Sequence, residues 1–246
     1  MKWMIDLVSA RPLISCLVVG VILMSVWWLK FKEKLNMKWY WAPILSVAHF
    51  TFSLIFIKFW ALVEVGFVAE KAANMRLYGA IFFLPVVYYL GARLTKRNPA
   101  LVMDMLSVTA AIGLLLVRVN CLIQGCCKGV CITPETTVRW PLVELEMVVC
   151  IIVILYYWQR IYKRRTNGLA YPTVILVYSV FRFVIEWVRE EYTGELWIFH
   201  LAHIWALIGI TGSTMAIYLI KKYNTKKSKT HSKRNKQKVS MGEVSK

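Results

Sequence analysis

Residues Pro99–Val117 read PALVMDMLSVTAAIGLLLV, and the fold turns on this run. Asp104 is its one ionisable group. At about 1.5 Å of rise per residue the run is long enough to cross roughly 30 Å of hydrocarbon as a helix. Its apolar residues do not alternate with polar ones, which excludes a barrel strand. A helix, which satisfies its own backbone groups, is the remaining way to cross lipid. RVNCLIQGCCKGVC (Arg118–Cys131) follows at once, with four of the six cysteines. The chemistry of the chain is expected where this loop meets the membrane face.

Six more apolar runs flank this one: Leu13–Leu29, Trp39–Val63, Leu77–Ala92, Pro141–Trp158, Gly168–Val188 and Trp197–Ile220. Leu77–Ala92 is short, and Gly79 and Pro85 interrupt it. Hydrophobic residues make up 59% of the chain, above the roughly 45–50% of a soluble domain. The first run is too long for a simple signal peptide, lysines follow it, and no small-residue cleavage site appears. The expectation is an all-α integral membrane protein, a bundle of about seven transmembrane helices.

Basic residues set its orientation. Lys30, Lys32, Lys34 and Lys38 lie between the first two runs, Arg93, Lys96 and Arg97 between the third and fourth, and Arg160, Lys163, Arg164 and Arg165 between the fifth and sixth. More lysines follow the seventh. All fall on one side, which is therefore cytoplasmic, with the N-terminus out and the C-terminus in. This accounts for the net charge of +18 without nucleic acid as a partner; basic segments beside anionic lipid suffice. No internal repeat is evident. Residues 1–222 are expected to form one membrane domain, and 223–246 a basic, disordered cytoplasmic tail.

Ionisable groups within such runs are costly and mark function. Tyr178, Arg182 and Glu186 recur every four residues and share one helical face, with Arg189 just beyond. Arg182 and Glu186 read either as an intrahelical pair or as a fixed cation with its orienting carboxylate. Arginine suits an anionic headgroup because its planar fork grips phosphate oxygens and stays charged. Arg118 is expected at the same outer level, as an interfacial anchor or a second phosphate ligand. Glu144 and Glu146 open the fifth run there, and His203 lies about two turns into the seventh. Asp104 reads as a cap or packing residue at the inner end, and Tyr78 as an interfacial tyrosine.

Several readings of the cysteines compete. Structural packing or a disulfide outside the cytosol ranks first. A thiolate nucleophile activated by Arg118 or Lys128 ranks second. A metal ranks third, because the spacing of Cys121, Cys126, Cys127 and Cys131 fits paired zinc ligands poorly. No metal and no cofactor is assigned. Cys16 and Cys150 read as small apolar residues.

These residues also carry a resemblance. From about Asn74 to Tyr218 the chain resembles the prolipoprotein diacylglyceryl transferases of bacterial inner membranes, in a divergent, cysteine-rich branch. YSVFRFVIEWVR (Tyr178–Arg189) is similar to the family's Y-G-x-x-R-x-x-x-E-F-x-R. Gly113–Gly129 resembles its signature G-R-x-G-N-F-x-N-G-E-x-x-G, with Arg118 on the arginine, Gly125 and Gly129 on glycines, Cys121 in place of asparagine and Cys126 in place of glutamate. RWPLVELE (Arg139–Glu146) resembles R-H-P-x-Q-L-Y-E, with Glu146 on the glutamate. Met75–Ala80 resembles the segment ending H-G-G, with Tyr78 where the family has histidine.

The resemblance implies transfer of diacylglyceryl from phosphatidylglycerol to the lipobox cysteine of a prolipoprotein, at the outer face of the plasma membrane. It implies that Arg118 and Arg182 hold the phosphate, with Glu146 and Glu186 orienting them and Tyr78 or His203 in the place of the base. The substrate-binding set is Arg118, Cys121, Gly125, Cys126, Gly129, Glu146, Tyr178, Arg182, Glu186 and Arg189. The partners are phosphatidylglycerol or a related phospholipid, the prolipoprotein signal peptide and the membrane. A non-catalytic phospholipid-binding protein and a thiol-redox membrane protein on the same fold are the alternatives.

Overall fold

A computed structural model describes residues 12–64, 66–67, 77–127, 129–133, 137–163, 167–189, 195–196 and 199–243. Met75, Arg76, Lys128, Arg164, Arg165 and Trp197 lie outside the described residues. Seven α-helices appear among them: α1 Pro12–Lys30, α2 Trp41–Glu64, α3 Tyr78–Leu94, α4 Pro99–Gln124, α5 Leu142–Tyr162, α6 Ala170–Ile185 and α7 Leu201–Glu243. Six are long and apolar enough to cross a membrane; α3, with 17 residues, is the short one. The protein is an all-α, multi-pass membrane protein. Its described strands are a two-residue pair, β1 Glu195–Leu196 and β2 Phe199–His200.

α4 is the centre. It packs against α1, α3, α5 and α6. In its apolar window 56% of residues are buried, against 22% in α1, α2 and α7. Local chemistry defines both its ends. Pro99 stands at the first turn, where its missing N–H costs nothing, and the Asn98 side chain accepts from the Ala100 amide at 3.1 Å. Gly125 closes the helix at φ +65°, a left-handed cap that glycine adopts without a Cβ penalty.

α4 runs past Val117, where the apolar pattern ends, to Gln124. Arg118, Asn120 and Cys121 are therefore buried helical residues and not the start of an outer loop. A charge normally ends an apolar span; here a carboxylate on α5 satisfies it within the bundle. At the seventh span the helix starts at Leu201, so His203 stands in its first turn and not two turns in. The backbone of α7 is helical as far as Glu243, and its membrane-compatible part ends near Lys226.

The two ends of the bundle differ. At the end holding the α1 C-terminus and the α4 N-terminus, Trp27, Trp28, Phe31, Met105 and Ile161 form an apolar core. Lys34 donates to the Ile161 carbonyl at 2.9 Å, and Arg97 to the Leu35 carbonyl at 2.6 Å. Buried Asp104 accepts from the Asn167, Gly168 and Ala170 amides at 2.8–2.9 Å, capping α6 from a neighbouring helix. This fulfils the capping role expected of it. The opposite end holds the polar core. The outer surface is apolar, with Ile152, Leu155, Val177 and Val184 exposed, as lipid contact requires.

Candidate active site

Helix polarity gathers the site. The C-terminal turns of α4 and α6 and the N-terminal turns of α3, α5 and α7 all belong to one end of the bundle. Tyr78 starts α3, Arg118 lies near the end of α4, and Glu146 is early in α5. Tyr178 and Arg182 are on α6, Glu186 is in the short 3₁₀ turn Glu186–Val188, and Arg189 follows it.

Five of these groups form one ion chain. Glu146 forms an ion pair with Arg118 through one carboxylate oxygen and accepts from Arg182 through the other, at 2.9 Å. Arg182 turns its second Nη to Glu186 at 2.9 Å. The Arg189 Nε lies 3.8 Å from the same Glu186 oxygen. All five side chains are buried; Glu186 and Glu146 are 0% and 1% exposed. Three guanidiniums and two carboxylates leave a net charge of +1. Buried charges in this number survive only when paired, and the surplus sign is that of an anion-binding site. Tyr178, on the α6 face that carries Arg182, lies beside the Arg118 guanidinium.

Buried polar groups adjoin the chain. The Tyr78 hydroxyl, the Asn120 carbonyl oxygen and the Ser179 hydroxyl have no hydrogen-bond partner among the described residues. Tyr78 faces Tyr178, with ring centroids 6.5 Å apart. His203 is fully buried, its ring against Phe183 at 5.0 Å and Trp187 at 4.7 Å.

The cysteine loop closes this end. After Gly125 the chain reverses, and Cys127 takes φ +62°, which non-glycine residues rarely adopt. The Val130 amide then donates to the Val188 carbonyl at 2.9 Å, and Gly129 bridges to Arg189. A Cβ on Gly129 would meet the Trp140 carbonyl oxygen at 2.5 Å, so only glycine fits there. The loop is thus tied to the residue that ends the ion chain. Arg118 Nη1 lies 3.9 Å from the sulfurs of both Cys121 and Cys127. All six cysteines are free thiols. The Cys127 thiol is held below the usual thiol range, first by its hydrogen bond with Cys121 and then by the Arg189 and Arg118 charges. Burial pushes Cys126 up.

The structure therefore joins Arg118, Glu146, Tyr178, Arg182, Glu186 and Arg189 directly, and sets Cys121, Gly125, Cys126 and Gly129 in the loop beside them. Two neighbours, Asn120 and Ser179, escaped the sequence reading, and Cys127 stood there only as one of several competing thiols. Cys127 occupies an unspecified position of the signature, and nothing in the sequence announces its left-handed backbone. Ser179 is a polar residue within an apolar run and Asn120 lies just past the end of another, beside Arg118; the charged residues overshadowed both.

A search of curated proteins finds no match. The family model for prolipoprotein diacylglyceryl transferase matches residues 13–220, from the start of α1 well into α7. With that match covering most of the chain and all five members of the buried ion chain, the protein belongs to the prolipoprotein diacylglyceryl transferase family, transferases of lipoprotein biosynthesis.

Proposed function

We propose that the chain transfers the diacylglyceryl group of phosphatidylglycerol to the lipobox cysteine of a prolipoprotein, at the outer face of the bacterial plasma membrane. The observation that carries this reading is the buried, net-positive chain in which Glu146 links Arg118 to Arg182. Arg118 and Arg182 take the phosphate of the headgroup. Glu146 and Glu186 fix the arginine forks and keep the arginines from repelling one another. The acceptor sulfur attacks a glyceryl carbon, the carbon–oxygen bond breaks, and glycerol phosphate leaves with the electron pair. Charge growing on the departing phosphate meets guanidiniums already in place, so little reorganisation is needed.

Tyr78 stands where the family has histidine. A phenol with an ordinary pKa of about 10 is a poor base at neutral pH. Its hydroxyl serves better as a hydrogen-bond donor to a leaving oxygen. The absence of an imidazole at this position favours a second reading, a phospholipid-binding protein without transfer. Orientation rests on the basic segments, which share the end of the bundle opposite the site.

Purified protein given phosphatidylglycerol and a lipobox peptide separates the readings. Transfer predicts released glycerol phosphate and a diacylglyceryl adduct on the peptide. Binding alone predicts lipid affinity with neither product.

A further inference from the structure

The sulfurs of Cys121, Cys126 and Cys127 all lie within 4.8 Å of one another, and those of Cys121 and Cys127 are 4.0 Å apart. Zinc–sulfur bonds of about 2.3 Å place two thiolates of one tetrahedral ion about 3.8 Å apart. The three thiols therefore converge to nearly the separation that a single ion requires, although their sequence spacing does not suggest it. The left-handed turns at Gly125 and Cys127 bring them together. Cys121 comes from the buried last turn of α4, while Cys126 and Cys127 are partly exposed.

We propose that Cys121, Cys126 and Cys127 form a three-thiolate zinc site whose fourth position takes the acceptor thiol. Three protein ligands with one open position is the pattern of catalytic rather than structural zinc. Thiolates select a soft ion, and zinc brings no redox chemistry. Three thiolates on Zn²⁺ carry a net charge of −1. Arg118, 3.9 Å from two of the sulfurs, offsets it. The same arginine holds Glu146, so the metal site and the phosphate site share a side chain.

The inference rests on the transferase reading, because it supplies the step that Tyr78 performs poorly. A thiol that coordinates zinc is deprotonated outright. The acceptor S–H proton passes to water as the sulfur takes the fourth position. A lone pair of that sulfur then forms the bond to the glyceryl carbon. The carbon–oxygen bond breaks with its electron pair on the phosphate oxygen, and the thioether, a weaker ligand, leaves the ion.

The test uses the full chain, reduced and purified in detergent, titrated with Co²⁺ as a spectroscopic stand-in for zinc. One equivalent should give sulfur-to-cobalt charge-transfer bands and tetrahedral d–d bands. A lipobox cysteine peptide should add intensity for a fourth sulfur. Cys121→Ser, Cys126→Ser and Cys127→Ser should each weaken Co²⁺ binding beyond the roughly 10–100-fold typical of an outer-shell change; Cys131→Ser should not. Zinc removal should abolish transfer, and its return should restore it. No sulfur-to-cobalt band, or isolation of the reduced chain with a Cys121–Cys127 disulfide re-forming in place of metal binding, would overturn the site. Full-rate transfer by zinc-free protein would overturn its role and leave the transferase reading intact. A cobalt spectrum that gains the peptide sulfur without transfer from any phospholipid would uphold the site and remove the transferase reading.

Discussion

Glu146 on α5 accepts a 2.9 Å hydrogen bond from Arg182 on α6, and both side chains are buried in the bundle. The two helices touch only lightly along their lengths, so this contact links them at the site end. Because Glu146 also takes Arg118 from α4, three helices meet on one carboxylate. The consequences are measurable.

Arg182→Ala removes one cation and takes a partner from two carboxylates, leaving Glu146 with Arg118 alone and Glu186 with the more distant Arg189. Breaking a buried pair costs about 3–5 kcal/mol, so thermal unfolding in detergent should shift down clearly and turnover should vanish. Arg182→Lys keeps the charge but cannot fork to both Glu146 and Glu186. It should fold better than the alanine variant and still lose most activity. Full activity in either variant would sink the phosphate assignment.

Glu146→Gln preserves shape and removes a charge, raising the net charge of the ion chain from +1 to +2. Phospholipid should still bind, because the surplus is positive. The arginines lose their shared anchor, so kcat should fall by about 100-fold or more with little change in KM. Initial-rate kinetics across phosphatidylglycerol concentration would show the split.

Tyr78→Phe deletes a hydroxyl that has no hydrogen-bond partner among the described residues. Stability should change by less than about 1 kcal/mol. If the phenol donates to the leaving oxygen, kcat should drop about 10²–10³-fold. An unchanged kcat would remove Tyr78 from the reaction.

Gly129→Ala should lower stability by about 1–3 kcal/mol, since its Cβ meets the Trp140 carbonyl oxygen, a backbone atom that cannot swing away. The loop that ties Cys127 to Arg189 should loosen with it. Faster alkylation of Cys127 by a membrane-impermeant maleimide would report that change.

Asp104→Ala tests the other end. It strands three backbone amides at the start of α6, for a loss of about 1–3 kcal/mol. Turnover per folded molecule should stay as it was, because the ion chain lies at the far end of the bundle.

Much of this was legible in the residues. Length and apolarity alone locate seven helices, and the four-residue spacing of Tyr178, Arg182 and Glu186 puts them on one face. The end of α4 was not legible. Arg118 looks like the end of a span until Glu146, twenty-eight positions on, is seen to neutralise it. Asp104 could be read as a cap, but its partners lie more than sixty residues away. The thiol cluster was hidden for another reason. Sequence spacing measures distance along the chain, and the turns at Gly125 and Cys127 cancel that distance.

The most direct measurement follows glycerol phosphate released from phosphatidylglycerol by the purified full chain in the presence of a lipobox peptide. The expected result is release in step with a diacylglyceryl mass gain on the peptide cysteine, abolished by Arg182→Ala. Saturable phospholipid binding with no release and no peptide adduct, from folded and zinc-supplied protein, would contradict it.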